Sequence, residues 1–260
     1  PDGRRYTAPP PADFAAAMTD DPSGLRRALR DDPETTCFRE YHGAGDGVPG
    51  WYLDRYGDWL WLQRDPGTPV GPKPEARGLY QLIGQKDRSH GGQTGPVLIS
   101  GEPAPNEFTV YESGTQYLVS LHDALSTGMF LDQRPQRTWL SQNAEGLRIL
   151  NTFAHAGGFS VAAARAGAST LSVDLSKQWL ERIPRQLEAQ GLCTQDHDWI
   201  YGDVFDWLPR LAKRGETFDL IILDPPSTSV GKKKKRWSVK SNYPELVQLA
   251  TQMLNPGGLL

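Results

Sequence analysis

The sequence predicts an α/β protein in which a parallel sheet, covered by helices on both faces, follows a small α+β domain. Two observations lead to this prediction. After Leu147, short apolar segments typical of buried strands alternate with segments of helical composition. Before residue 122, aromatic and branched segments are separated instead by clusters of Gly, Pro and Asp, which are typical of turns between strands.

The composition is that of a globular protein without a strong overall charge. The chain has 260 residues, 38% of them hydrophobic, and a formal net charge of -3. Any anionic partner must therefore be met by a local basic patch. The chain has 2 cysteines and no apolar run that could span a bilayer. We therefore expect a reducing compartment, the cytoplasm or alternatively an organelle.

The first half of the chain is predicted to contain an arm and a small domain. Residues 1–35 form the arm, with a helix over 13–30, and residues 36–125 form the α+β domain. Strand composition appears in DWLWLQ and PVLIS, and FTVYESGTQYLVSL is typical of a hairpin turning at Ser113 and Gly114. Residues 64–95 are rich in Gly, Pro and charge and are predicted to be loop.

Residues 126–260 are predicted to form the parallel α/β domain. Strands are expected at RILNTF, TLSVD, DWIYGD and FDLIILD, and GGLL begins another. Helices are expected over 157–167, 176–190, 205–213 and 243–254. The alternation of strands and helices predicts that all these strands point the same way.

Each of four successive strands is followed by glycine or aspartate. Gly157 and Gly158 follow the first strand, and Asp174, Asp203 and Asp224 follow the next three. Because parallel strands present their carboxyl ends at one edge of a sheet, where such folds bind ligands, these residues are expected to converge. Asp174 lies at the distance from the glycines where nucleoside-binding folds keep an acid for the ribose hydroxyls.

The glycine pattern favours a nucleoside cofactor without phosphates over a dinucleotide. The spacing differs from the G-x-G-x-x-G of dinucleotide sites, and no P-loop lysine is present. An adenosine cofactor without phosphates fits better. This reasoning favours S-adenosylmethionine (SAM) over NAD.

The same segments carry a family resemblance. NTFAHAGGFSVAAARAGASTLSVDLSKQWLERIPRQLEAQGL, GDVFDWL and FDLIILDPPS resemble the successive motifs of class I SAM-dependent methyltransferases, which have a Rossmann-like fold. CFREYHGAGDGVPGWYLDRYGDWLWLQ and TGMFLDQRPQR resemble the bacterial 23S ribosomal-RNA methyltransferases that act on cytosine C5 or guanine N7. The resemblance extends from about residue 36 to residue 260.

Two features of that family are not expected in this sequence. The cytosine-C5 members begin with an RNA-binding PUA domain, for which residues 1–35 are too few. The sequence ends as its fifth strand begins, so we expect it to lack the C-terminal part of the fold, where those members keep a catalytic cysteine.

The resemblance implies a role for each strand-end segment. Asp174 would hold the ribose, Leu175 beside it would be a further cofactor contact, and Asp203 and Val204 would contact the adenine. The segment after the first strand would run beneath the methionine part, which implicates Phe153, His155, Gly157 and Gly158.

Two other segments are implied to contact the methionine end of the cofactor and the reacting groups. Gln133 and Arg134 would reach the methionine end, where an arginine suits a carboxylate. By the same resemblance, Asp224, Pro225 and Pro226 would be the catalytic residues, facing the methyl group and the incoming base.

The sequence leaves the acceptor atom open. Methylation of cytosine C5 needs a thiolate, and Cys37 and Cys193 are most simply incidental. A catalytic cysteine outside this sequence, a nitrogen acceptor and a protein without catalytic activity are the three alternatives. His155 is interpreted as a cofactor contact in preference to a general base. No metal is expected, because the histidines are scattered: His42, His90, His122, His155 and His197.

The segment GKKKKRW follows the predicted catalytic loop. Lysine runs usually lie on solvated surface. Here, Lys232 through Arg236 could supply local positive charge for RNA, and Trp237 could stack on an extruded base. We therefore predict SAM-dependent methylation of RNA, most simply ribosomal RNA. The alternatives are an inactive structural or RNA-binding component of a large assembly, and a methyltransferase for small molecules or proteins.

Overall fold

The structure, a computed structural model, describes residues 26–68, 71–83, 95–123, 126–230 and 236–260. Of the helix predicted over 13–30, the described part is α1, Arg27–Asp31. The rest of that prediction lies outside the described residues. No helix in the described ranges is long and apolar enough to cross a membrane.

The first half of the chain forms a five-stranded sheet and a hairpin. The strands of the sheet lie in chain order: β1 Cys37–His42, β2 Trp51–Tyr56, β3 Trp59–Arg64, β4 Gly78–Ile83 and β5 Gly95–Gly101. β3 and β4 are parallel, and the other neighbours are antiparallel. The hairpin consists of β6, Phe108–Glu112, and β7, Thr115–Val119, and it turns at Ser113 and Gly114 as predicted.

β4 corrects the sequence prediction of a loop over 64–95. Leu79, Tyr80 and Gln81 are all buried in this short strand. The segment looked like a loop because Gly, Pro and charged residues flank it on both sides. Pairing with β3 and β5, which local composition cannot reveal, makes it a strand.

The second half alternates strands and helices. After the 3₁₀ helix Leu131–Gln133, its elements are α2 Arg134–Asn143, β8 Arg148–Thr152, α3 Gly158–Arg165, β9 Ser169–Asp174, α4 Lys177–Leu180, α5 Arg182–Ala189, β10 His197–Tyr201, α6 Val204–Lys213, β11 Phe218–Leu223, β12 Thr228–Val230, β13 Arg236–Ser238, α7 Val239–Thr251 and β14 Leu254–Leu259. β12 and β13 form a small antiparallel pair.

The main sheet is parallel, with the strand order β10-β9-β8-β11-β14. The chain builds outward from β8 in one direction and then returns to add β11 on the other side. This reversal opens a crevice at the carboxyl ends of β8 and β11. The predicted α/β class and its small preceding sheet are thus confirmed.

One predicted helix is divided in two. Residues 176–190 form α4 and α5, which meet at Glu181. Pro184 has no backbone N–H to donate to the Leu180 carbonyl, so one continuous helix would lose that hydrogen bond. As part of the first turn of α5, the same proline loses nothing.

The hairpin is attached to the parallel domain by a buried amide. The Gln186 side chain accepts from the Leu118 N–H at 2.8 Å and donates to the Leu118 carbonyl at 2.9 Å. Tyr117 and Val119 of β7 share one hydrophobic cluster with Ile183 and Leu187 of α5. The hairpin is therefore fixed against the domain that carries the strand-end residues.

Candidate active site

A cavity of about 800 Å³ opens at the carboxyl ends of β8, β9, β10 and β11. Most of the residues predicted for the site line it: Gln133, Phe153, His155, Gly158, Asp174, Leu175, Asp203, Val204, Asp224, Pro225, Pro226 and Trp237. Parallel strands thus bring together side chains that lie far apart in the sequence. Of the predicted residues, Arg134 and Gly157 do not line the cavity.

The loop after β8 has an unusual backbone. Phe153 and His155 have φ angles of 54° and 51°, in the left-handed region that side chains with a Cβ seldom adopt. Strained backbone of this kind is concentrated at functional sites in proteins. The loop bends twice within three residues, and both side chains contribute to the cavity wall.

Gly157 makes the turn into α3 but does not reach the cavity. Its φ is 81°, and a Cβ there would lie 2.8 Å from Cγ1 of Ile183. Gly158 begins the helix and lines the cavity. Gly157 thus permits the turn into α3, whereas Gly158 is the glycine that borders the cavity.

Asp174 ends β9, and its carboxylate is held by the backbone on both oxygens. The His155 N–H donates to Oδ2 at 2.8 Å, and the Ser176 N–H donates to Oδ1 at 2.7 Å. Each carboxylate oxygen can accept a further hydrogen bond. Asp174 therefore joins the β8 loop to the β9 loop and keeps acceptor sites for a ligand.

Asp203 has a local role at the end of β10. Its Oδ1 accepts from the Phe205 N–H at 3.0 Å and caps the N-terminus of α6. Gly202 also lines the cavity, and a Cβ there would lie 2.1 Å from the Trp207 indole nitrogen. The β10 end of the cavity is thus narrow and has an aromatic wall.

Asp224 follows β11 and contacts the segment before α2. Gln133 Nε2 donates to its Oδ1 at 3.2 Å, and Oδ2 has no hydrogen-bond partner among the described residues. Burial, followed by the negative charge of Asp132, raises the pKa of Asp224, and Arg137 opposes this rise. The site therefore holds a half-buried carboxylate with one free oxygen beside two prolines.

The structure does not place Arg134 where the family resemblance implied. Its guanidinium lies away from the cavity, 3.2 Å from Glu112 Oε2, and also binds the Cys37 carbonyl. Arg137, one helical turn further on, lines the cavity instead. The i, i+3 spacing of the two arginines could have identified Arg137 as a candidate, but Glu112 determines which one turns inward.

His155 lies in a stack of rings at the cavity mouth. Its ring centroid is 4.0 Å from that of Trp179 and 5.0 Å from that of Phe130. Burial, followed by the positive charge of Arg182, lowers the pKa of His155 to about 4. The imidazole is therefore neutral near pH 7.

Trp237 is part of the wall. Only 8% of it is exposed, its indole nitrogen donates to the Pro226 carbonyl at 2.7 Å, and it packs against Phe153 and Phe205. Base stacking by Trp237 stays a prediction, for a ring that is largely covered. Lys232 to Lys235 lie outside the described residues.

Neither cysteine lines the cavity. Cys37 is buried in β1, and burial raises the pKa of its thiol to about 12. Cys193 is exposed beside a small cavity at the amino ends of β8, β9 and β10. In the described ranges, no group of three or more His, Cys, Asp or Glu residues could hold a metal ion.

The doubly wound sheet and the acidic cavity at its carboxyl edge define a nucleoside-binding α/β protein. Comparison with known families identifies the family within this class. The chain belongs to the S-adenosylmethionine-dependent methyltransferase family, whose profile matches residues 80–260.

Several named proteins are similar to this chain. Ribosomal RNA large subunit methyltransferase I of Cronobacter sakazakii is 32% identical over 235 residues. A putative ribosomal RNA large subunit methyltransferase of Bacillus subtilis is 35% identical over 235 residues. Both matches cover 86% of this chain and 59% of the relative. These names give no support to the alternative of an inactive protein.

A solved structure is similar in fold. It is a putative methyltransferase in complex with SAH, with a TM-score of 0.78 and 30% identity. The match covers 90% of this chain and 63% of that protein. This chain thus spans less than two thirds of these relatives.

Proposed function

We propose that the chain binds SAM in the strand-end cavity and transfers its methyl group to a base of large-subunit ribosomal RNA. One observation carries the proposal: Asp174, Asp203 and Asp224, with the two prolines after it, line a single cavity. The names of the bacterial relatives support ribosomal RNA as the substrate.

The residues of the cavity fit SAM in size and in chemistry. The volume of about 800 Å³ lies within the range of small-ligand sites. Asp174 would accept hydrogen bonds from the ribose hydroxyls, with Leu175 beside it as a further cofactor contact, and Asp203 and Val204 would border the adenine. These assignments follow the resemblance, and the lining supports them.

The methionine end would lie between the β8 loop and α2. On the β8 side, Phe153, His155 and Gly158 line the cavity, and Gln133 lines it just before α2. Arg137 binds Glu112 through Nε and Nη2, which leaves Nη1 without a hydrogen-bond partner in the described part of the chain. We assign to this nitrogen the carboxylate contact that the resemblance gave to Arg134.

Asp224 and Pro225 would orient the acceptor base. The Pro226 carbonyl already accepts from Trp237, whereas Asp224 keeps a free Oδ2. When bound, SAM supplies a methyl group activated by a positively charged sulfur. The protein then needs chiefly to hold a base in line with that methyl group, and Asp224 can do so by accepting from an amino or ring N–H.

The alignment that the cavity provides suits a nitrogen acceptor. Carbon C5 of cytosine would additionally need a thiolate on the ring. Neither Cys37 nor Cys193 lines the cavity. The acceptor therefore stays open between a base nitrogen, which needs alignment alone, and carbon C5, which needs a cysteine that joins the site.

RNA contact would come from the basic segment Lys232 through Arg236, which follows the Asp224 loop in the sequence. The overall charge of -3 makes such a local patch necessary for a polyanionic substrate. Ribosomal RNA as substrate, together with bacterial relatives, favours the cytoplasm over an organelle.

Transfer of a labelled methyl group tests this proposal. Purified protein, labelled SAM and unmodified large-subunit ribosomal RNA should give labelled RNA. Replacing Lys232 through Arg236 by Gln should weaken RNA binding. It should also reduce the slope of log binding constant against log salt concentration by about 0.7 for each lost phosphate contact. A control, K177Q with R77Q, removes two exposed positive charges elsewhere and should leave the slope unchanged.

Two results would contradict the proposal. Label that appears in a protein or a small molecule, with no effect of the lysine replacements, would favour the other methyltransferase class. Failure to bind SAM at all would favour a protein without catalytic activity.

A further inference from the structure

Phe130 ends a column of stacked groups at the cavity mouth. The Arg182 guanidinium lies 4.6 Å from the centroid of Trp179, Trp179 lies 4.0 Å from His155, and His155 lies 5.0 Å from Phe130. The first three members are half-buried, whereas 54% of Phe130 is exposed. The column therefore terminates in an accessible ring.

The exposure of Phe130 is unusual for its position. Of the aromatic side chains that line the cavity in the described ranges, it is the only exposed one. Single exposed apolar residues are common on protein surfaces and need no explanation by themselves. Here the ring both borders a ligand-sized cavity and completes a stack, which a chance surface residue would not do.

Hydrogen bonds anchor the segment that carries Phe130 on both sides of the ring. The Met129 carbonyl accepts from the Tyr56 hydroxyl at 3.3 Å and from the Thr127 hydroxyl at 3.1 Å. Three residues after the ring, Gln133 donates to Asp224. Phe130 is therefore held on a short segment whose other end touches the proposed reaction centre.

We propose that Phe130 is the surface on which the target nucleobase stacks when it enters the cavity. This inference rests on the proposed function and assigns to Phe130 the task that the sequence had suggested for Trp237. An exposed aromatic face accepts any nucleobase, because every base has a π-face. The tilted stack beneath the ring keeps it from rotating away when the base arrives.

A ring at this place could alternatively cover the cofactor. The two roles differ in the binding step that they affect. A base platform changes the KM for RNA and leaves SAM affinity almost unchanged, whereas a cofactor cover weakens SAM binding directly.

Three variants at one position test the proposal. F130A should raise the KM for RNA about tenfold or more, because stacking on one aromatic ring has about that effect. F130L keeps apolar bulk without a π-face and should behave like F130A, whereas F130W should restore the KM. SAM affinity, measured by calorimetry, should change less than about twofold in all three. I99A, which removes an exposed apolar side chain outside the cavity, is the control.

The outcomes separate the inference from the proposed function. If the wild-type protein methylates RNA and F130A has an unchanged KM, or F130L matches the wild type, the stacking role is wrong. Loss of SAM affinity in F130A would identify a cofactor cover instead. If the wild-type protein neither binds SAM nor methylates RNA, the proposed function itself fails.

Discussion

The Arg137 guanidinium and the Glu112 carboxylate form a buried, two-point ion pair between the hairpin and α2. Nε lies 2.7 Å from Oε1, and Nη2 lies 2.8 Å from Oε2. Arg134 binds the same carboxylate from the next turn of the helix. Glu112 therefore holds one arginine at the cavity and the other away from it.

Removing the charge of Glu112 should destabilise the fold. E112Q leaves two guanidinium groups with a neutral partner in a buried setting, and breaking such a pair costs about 3–5 kcal/mol of unfolding free energy. Urea denaturation measures the change. E181Q removes an exposed carboxylate that pairs with Lys177 and should have almost no effect. Equal, small changes in both variants would contradict the importance of the buried pair.

The two neighbouring glycines should respond differently to the same substitution. G157A forces a Cβ into the left-handed region and within 2.8 Å of Ile183, which we expect to cost at least about 2 kcal/mol of unfolding free energy. At Gly158 a Cβ would lie 3.6 Å from the Arg137 side chain, an ordinary contact. G158A is thus the matched control, and chemical denaturation of both compares them. A G157A protein as stable as G158A would refute the reasoning.

Burial of His155 should make the fold lose stability on mild acidification. The pKa of His155 is about 4 in the folded protein, and its ordinary value is 6.5. Between these pH values His155 is protonated in the unfolded chain and neutral in the folded protein. Above pH 6.5 the protonation of His155 does not affect the unfolding free energy. As the pH falls from 6.5 towards 4, protonation of the unfolded chain lowers the unfolding free energy by about 3 kcal/mol.

The variant H155F isolates this effect. Phenylalanine keeps the stacked ring without a titrating nitrogen, so the unfolding free energy of H155F should fall less than that of the wild type between pH 7 and pH 4. Parallel pH profiles for H155F and the wild type would rule out a neutral, buried His155.

The parallel domain could be predicted almost completely from sequence, because buried parallel strands are continuous apolar runs and the intervening helices differ in pattern. Convergence of Asp174, Asp203 and Asp224 then follows from topology alone. β4 could not be predicted, since its strand character comes from pairing with β3 and β5 rather than from local composition.

The sequence also left side-chain direction undetermined. Arg134 and Arg137 lie three residues apart on one helix, and a carboxylate contributed by the hairpin decides which one faces the cavity. Base stacking by Trp237 stays a prediction, and the structure adds that its indole N–H donates to the Pro226 carbonyl. Contacts between segments remote in the sequence determine both outcomes.

Protonation of Asp224 should determine how kcat falls at acidic pH. D224N should lower kcat by about 100-fold through poorer alignment of the base, with a smaller effect on SAM affinity. The charge of Asp132 contributes to the raised pKa of Asp224, so D132N should move the acidic limb of kcat to lower pH. A limb that does not move in D132N would mean that another group is titrating.

Binding of SAM to the strand-end cavity is the claim on which the other proposals depend, and calorimetric titration of D174N against D198N tests it most directly. Asp174 lines the cavity, whereas Asp198 is an exposed residue of β10 outside it. We expect one SAM bound per wild-type and D198N chain, and binding at least about tenfold weaker in D174N, because an amide loses acceptor capacity towards the ribose and the backbone. Absence of SAM binding by the wild-type protein, or equal affinity in D174N and D198N, would contradict a cofactor site at this edge of the sheet.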